Sequence, residues 1–103
     1  MTHLTPGPLF TAELHHHILV PDFQPGDFVD LVRVRLQDGV KPRLRASSAP
    51  YFAILPQETL LGGATRHTTG NSEVFVKIGV AMITDNLDPT AEGQPRYRVR
   101  LSN

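Results

Sequence analysis

Hydrophobic and polar residues alternate along most of this chain, with the two-residue period expected of β-strands. The segments that carry this alternation, or a short apolar run, are residues 9–20, 28–36, 40–46, 51–55, 73–84 and 96–101. Nine prolines and eight glycines occur mostly between these segments and leave little space for long helices. The pattern predicts an all-β fold, either a small barrel (SH3-like or OB-like) of five or six strands or a compact sandwich.

The segment 28–47 contains two alternating stretches separated by a turn signal at Asp38-Gly39, which predicts a β-hairpin. A three-residue loop ending at Gly39 would place Leu36 opposite Val40 and keep the apolar residues of both strands on one face. Gly39 would then adopt the left-handed conformation. Pro42 has no N–H to donate, so the hairpin is predicted to bulge there or to open its loop.

The alternation also predicts which residues face the core. The segment 73–84 is apolar on both faces, which favours a central strand covered on both sides. The apolar face of the first segment consists of Phe10, Ala12, Leu14, His16, Ile18 and Val20, and Tyr97, Val99 and Leu101 are expected to point inward in the last segment. In the segment 73–84 one face carries Val74, Val76, Ile78, Val80 and Met82, and the other carries Phe75, Ala81 and Ile83.

The remaining segments complete a single predicted domain, residues 1–103. Residues 1–8 contain two prolines and a glycine and are expected to form a loose N-terminal arm. Residues 56–63 begin near a proline and end with Gly-Gly, which allows at most one short helical segment. The polar stretches 62–73 and 85–95 are predicted to be loops.

The entry into the second strand contains Pro25, Gly26 and Asp27. This short motif before an alternating strand resembles the start of many small SH3-like barrels, including several from the translation apparatus. The resemblance implies an architecture and assigns no functional residue.

The chain is neutral in sum, with ten Lys and Arg residues and ten Asp and Glu residues, but its cations are concentrated on predicted strands. They recur at alternate positions, and the planar fork of arginine suits phosphate. The predicted contact residues are Arg33, Arg35, Lys41, Arg43, Arg45, Arg96, Arg98 and Arg100, with Arg66 on a loop beside them. They would form one continuous patch if the last strand lay beside the predicted hairpin.

The first functional hypothesis is a non-enzymatic nucleic-acid-binding barrel that uses this arginine-rich face. The second is a structural or assembly module, for example a phage or capsid-associated component, whose basic face meets an acidic protein surface. Under either hypothesis we expect a homo-oligomer or a part of a larger assembly. Outward arginines also solubilise sheets and protect their edges without binding any partner, which is the third alternative.

A metal site is the weaker candidate. Glu13, His15 and His17 occupy alternate positions of the first predicted strand, so a zinc ion could meet two imidazoles and a carboxylate there. An exposed polar strand face explains the same pattern, with His16 partly buried. No nucleophile, phosphate-loop or EF-hand motif is present, so we expect neither an enzyme nor a cofactor.

Three features that the sequence lacks limit the expected cellular location of the protein. The sequence has no cysteine, no apolar run long enough for a transmembrane helix, and no basic region followed by an apolar core at its N-terminus. We therefore expect no membrane partner and predict a cytoplasmic or virion protein.

Overall fold

The computed structural model describes residues 7–15, 23–41, 45, 47–57, 66–68 and 72–102. Within these ranges the secondary structure consists of strands and turns. The strands are β1 (Leu9–Leu14), β2 (Phe28–Leu36), β3 (Tyr51–Leu55), β4 (Arg66–Thr68), β5 (Glu73–Leu87) and β6 (Arg96–Leu101). The prediction of an all-β fold is confirmed. Most of the segment predicted to hold a helical turn, and of the N-terminal arm, lies outside the described residues.

Five of these strands close into a barrel. They follow one another in the order β2, β3, β1, β6 and β5, and β5 pairs back to β2. The β1–β3 pair is parallel and the other neighbours are antiparallel. β4 extends the sheet beyond the closed ring by pairing with the first part of β5. Closure satisfies the edges of the five strands, so a small barrel and not a sandwich is the architecture of this chain.

β5 contains a bulge at Ile78. Leu31 of β2 pairs with Gly79 and Val32 pairs with Lys77, so Ile78 is an extra residue in the ladder. An extra residue shifts the alternation of side chains by one position. β5 therefore directs different sets of residues inward before and after the bulge.

Two hydrophobic clusters result, on opposite faces of β2 and β3. The residues buried in the first cluster, which fills the barrel, are Ala12, Leu14, Phe23, Val29, Leu31, Ile54, Ala81, Ile83, Tyr97 and Val99. Those buried in the second cluster are Val32, Val34, Ala53, Leu55 and Phe75. Successive residues of these two strands are thus buried on alternate sides, so both strands are covered on both faces.

The uninterrupted alternation predicted for the segment 73–84 is wrong, because β5 changes phase at the bulge. Val74 is buried, but Ile78 is exposed and Met82 is half-buried. The residues that enter the barrel are instead Ala81 and Ile83. The reason is the bulge, which a strict two-residue period does not reveal. Burial on both sides is confirmed for the start of β5.

The turn after β2 is confirmed. The amide of Val40 donates to the carbonyl of Gln37 over 3.1 Å, and Gly39 has a φ of 80°. Glycine reaches this left-handed conformation without the steric cost that a side chain imposes.

The second strand of the predicted hairpin is wrong. Leu36 pairs with Glu73 of β5 and not with Val40. Val40, Lys41 and Arg45 lie outside any strand, and the rest of 40–46 falls outside the described residues. β2 pairs with β3 on one side and with β5 on the other, so distant strands occupy the positions that the hairpin would have used.

Both predicted polar loops contain more structure than expected. β4 lies within the segment 62–73, and β5 continues through Leu87 into the segment 85–95. The remainder of the second loop closes over the end of β1, where the Gln94 side-chain amide donates to the Leu14 carbonyl over 2.8 Å. No helix in the described ranges has the length and hydrophobicity to span a membrane.

Candidate nucleic-acid interface

The strand order divides the predicted arginine patch into two groups. β6 pairs with β1 and β5, whereas β2 pairs with β3 and β5, so the two arginine-bearing strands are not neighbours. Arg33 lies opposite Val76, and Arg100 lies opposite Met82, six residues further along β5. Because Ile78 is an extra residue, these are five ladder steps, which at about 3.3 Å per residue separate the two groups by roughly 16 Å along the strands. The condition for one continuous patch is not met.

The arginines of β6 bind their own chain. Arg96 donates through Nε to the carbonyl of Asp88 over 2.9 Å, and Arg100 donates to the carbonyl of Gly7 over 3.2 Å. Arg98 lies 3.8 Å from the carboxylate of Asp85, and both side chains are about half exposed. A phosphate at this strand would have to compete with these contacts and with the charge of Asp85.

Arg45 is also engaged within the protein. Its guanidinium donates to the carboxylate of Glu13 and stacks over the ring of Tyr51, with Cζ 3.5 Å from the ring centroid. Burial alone would lower the pKa of the guanidinium, but the hydrogen bond and the negative charge of Glu13 outweigh this effect and raise it. Arg45 therefore links β1 to β3 within the chain.

The cations at the end of β2 are different. Arg33 and Lys41 are exposed and Arg35 is half-buried. Among the described residues none of the three forms an ion pair or a side-chain hydrogen bond. Among the predicted contacts whose side chains the structure describes, these three are the ones that neither an ion pair nor a side-chain hydrogen bond engages. The remaining predicted contact in this segment, Arg43, lies outside the described residues.

Alternation places Arg33 and Arg35 on the same face of β2 as Val29 and Leu31, which line the barrel interior. The two arginines thus continue the inward-facing row beyond the packed core, at the end of the barrel where Tyr51 begins β3. Arg33 and Arg35 therefore form a row of cations on the inward-facing side of the sheet, beyond the packed core.

An aromatic residue lies next to these cations. Arg33 pairs with Phe52 of β3, and the Phe52 ring packs edge-to-face against Phe10 with ring centroids 4.8 Å apart. On the other side Arg33 pairs with Val76, which in turn pairs with Arg66 of β4. The backbone register therefore places Phe52, Arg33, Val76 and Arg66 in one row across four strands.

The predicted metal site is not assembled by the described residues. Glu13 binds Arg45, while Nε2 of His15 lies 3.0 Å from the carboxylate of Glu73. The structure describes no cluster of three or more potential metal ligands, and His17 is outside its described ranges.

The sequence pattern did not predict the environment of His15. Its side chain was expected on an exposed strand face, but the residue is 1% exposed. Its ring packs edge-to-face on Phe75 at 4.7 Å, and Glu73 also accepts a hydrogen bond from the Tyr51 hydroxyl over 3.4 Å. Burial of the phenol, and then the negative charge of Glu73, raise the pKa of Tyr51 well above its ordinary value. The one available signal was a carboxylate at the first position of the most apolar strand.

Comparison with protein-family models, curated proteins and solved structures finds no match for this chain. The function is therefore inferred from the geometry of the barrel and of its charged surfaces.

Proposed function

We propose that the protein binds nucleic acid, without catalysis, through the end of the barrel where β2 and β3 extend beyond the packed core. Arg33, Arg35 and Lys41 contact phosphates, and Arg66 joins them from the same cross-strand row. The observation that carries the proposal is the contrast between the two groups of cations. Arg33 and Arg35 have no acidic partner among the described residues, whereas Arg45 and the arginines of β6 are held by their own chain.

Single-stranded nucleic acid fits this surface best. Proteins that bind single strands combine cations that follow the backbone with aromatic rings on which bases stack. Here Phe52 is half-buried, is supported by Phe10, and lies beside Arg33. Arg33 and Arg35 are two residues apart on one strand face, so they offer successive contacts along a single extended backbone.

The test measures binding of labelled single-stranded DNA and RNA oligonucleotides by fluorescence anisotropy over a series of salt concentrations. We expect the affinity to fall with a log–log slope of about 0.7 per neutralised phosphate. The double substitution Arg33→Ala and Arg35→Ala should weaken binding at least about tenfold and reduce the slope by about 1.4. The matched control, Arg98→Ala with Arg100→Ala, removes the same charge and should change the affinity less than about twofold.

Two results would overturn the proposal. One is the absence of binding by the folded protein at about 50 mM salt, where phosphate contacts are strongest. The other is an equal loss of affinity in both double variants, which would mean that net charge and not the β2 surface determines binding.

The second candidate function is a structural or assembly role, which a different observation favours. Leu9, Phe28 and Ile78 are large apolar residues that are exposed in the described part of the chain, and exposed apolar surface is typical of protein contacts. For an assembly module, light scattering should show an oligomer whose mass depends on protein concentration and is unaffected by added oligonucleotide.

A further inference from the structure

The packed core of the barrel ends in three half-buried hydrophobic residues. Phe10 of β1, Phe52 of β3 and Leu101 of β6 pack against the residues buried inside the barrel and are themselves partly exposed. Phe10 and Phe52 lie near the N-terminal ends of two parallel strands, and Leu101 ends β6, which is antiparallel to β1. All three therefore lie at the same end of the barrel, and their apolar surface is called the barrel mouth below.

The two rings of the barrel mouth touch where their strands are not paired. Their centroids are 4.8 Å apart and their planes are inclined at 68°, so the edge of one ring lies against the face of the other. The paired residues of β1 and β3 are Glu13 with Ala53 and the pair that follows, so Phe10 precedes the ladder by three positions. The Phe10 ring can therefore turn without breaking a hydrogen bond between these two strands.

A cation lies at the rim of the barrel mouth. Arg33 follows Leu31 on the inward-facing side of β2, is exposed, and pairs directly with Phe52. Side chains of directly opposed residues share one face of a sheet and start about 5 Å apart. An aromatic surface with a cation beside it matches a nucleotide, which joins a flat base to an anionic phosphate.

We propose that the barrel mouth binds one unpaired base of a nucleic acid strand. The base stacks on Phe52, the ring of Phe10 turns to cover its other face, and Arg33 contacts the adjoining phosphate. A base in contact with a ring on each face needs roughly 7 Å between the two rings, so it takes the place of the present ring–ring contact. Phe10 is then a binding residue in its own right and not only a support for Phe52.

The occupant is a base and not an apolar side chain of a protein, because only the nucleotide brings an anion to Arg33. The base must be unpaired, since neighbouring bases cover both of its faces inside a duplex. Base binding at the barrel mouth rests on the proposed function, and it adds that the bases, as well as the phosphates, are recognised.

Two labelled strands of equal length and charge separate base contacts from phosphate contacts. One carries bases and the other is abasic at every position. We expect the protein to bind the base-bearing strand at least about fivefold more tightly. Phe10→Leu should remove this preference by weakening the base-bearing strand alone. The slope of affinity against salt should stay unchanged, because the phosphate contacts remain.

The matched control is Phe28→Leu, the same substitution at a phenylalanine that is 52% exposed on the opposite face of β2. It should leave both affinities unchanged. Retained binding of the abasic strand shows that Phe10→Leu is folded. As a second readout, a fluorescent adenine analogue that stacking quenches should lose emission on binding the parent protein and keep it with Phe10→Leu.

The outcomes distinguish base binding from the proposed function. Equal affinities for the two strands, or equal effects of Phe10→Leu and Phe28→Leu, would overturn base binding and leave the phosphate contacts in place. Absence of binding to either strand would overturn the proposed function, and base binding with it.

Discussion

His15 and Glu73 are 58 positions apart in the sequence, and their side chains meet over 3.0 Å in the interior. His15 directly follows β1 and Glu73 begins β5, two strands that are not neighbours in the barrel. Both residues are buried, at 1% and 5% exposure. The pair therefore joins parts of the barrel that no backbone ladder connects, and its carboxylate also receives the hydroxyl of Tyr51.

Removing the carboxylate should destabilise the fold. Glu73→Ala takes a hydrogen-bond partner from a buried imidazole, and we expect a loss of about 1–3 kcal/mol in the free energy of unfolding. Glu73→Gln keeps a carbonyl oxygen of similar shape and should cost less. Urea denaturation measures both, with Glu92→Ala at an exposed acid as the control, expected within about 0.5 kcal/mol of the parent. Equal stability of Glu73→Ala and the control would show that the pair contributes nothing.

Tyr51 should make the fold sensitive to alkaline pH. In the unfolded chain a tyrosine phenol ionises near pH 10, whereas burial and the charge of Glu73 keep Tyr51 protonated to higher pH in the folded state. Above about pH 10 the folded state therefore holds a proton that the unfolded state has lost, so stability falls as pH rises.

Tyr51→Phe should remove this contribution and flatten the alkaline part of the stability curve. Urea denaturation of both proteins at neutral pH and at successive pH values above 10 measures the difference in slope. Parallel curves for the two proteins would contradict the assigned shift in the pKa of Tyr51.

Substitution by methionine should destabilise the fold at Arg45 but not at Arg33. Arg45→Met deprives the partly buried carboxylate of Glu13 of its cation and should cost about 1–2 kcal/mol, reduced by the partial exposure of the pair. Arg33→Met removes an exposed charge and should change stability by less than about 0.5 kcal/mol.

The affinity for oligonucleotides should show the opposite pattern: Arg33→Met should lower it, and Arg45→Met should leave it unchanged. Denaturation and anisotropy on the same two variants provide the comparison. If the folded Arg45→Met variant bound oligonucleotides less tightly, Arg45 would be part of the binding surface.

The bulge at Ile78 should tolerate both substitution and deletion. Ile78→Thr changes an exposed side chain and should alter stability by less than about 0.5 kcal/mol. Deleting Ile78 removes the residue that has no partner in the β2–β5 ladder, so Lys77 and Gly79 become consecutive and keep their pairings with Val32 and Leu31. Alternation then leaves Phe75 in the second cluster and Lys77 beside Asp30, now 3.6 Å from it. Circular dichroism should show a cooperative melt for both variants, and loss of the cooperative melt in the deletion would show that the bulge itself is required.

Local chemistry determined three of the strands and the turn after β2. The bounds predicted for 28–36, 51–55 and 96–101 are those observed, and Gly39 is left-handed as expected. A two-residue period and a turn glycine act within a few positions of the chain, so the sequence alone specifies them.

Tertiary structure determined which of these strands pair with one another. Alternation shows which residues share a face of one strand but not which strand lies beside it, and β2 pairs with strands that begin at Tyr51 and Glu73 instead of the adjacent segment. That choice separated the arginines of β2 from those of β6, gave Arg45 an internal partner, and buried His15 against Glu73. Each outcome depends on contacts between residues far apart in the chain, where loop closure and packing, and not local propensity, set the free energy.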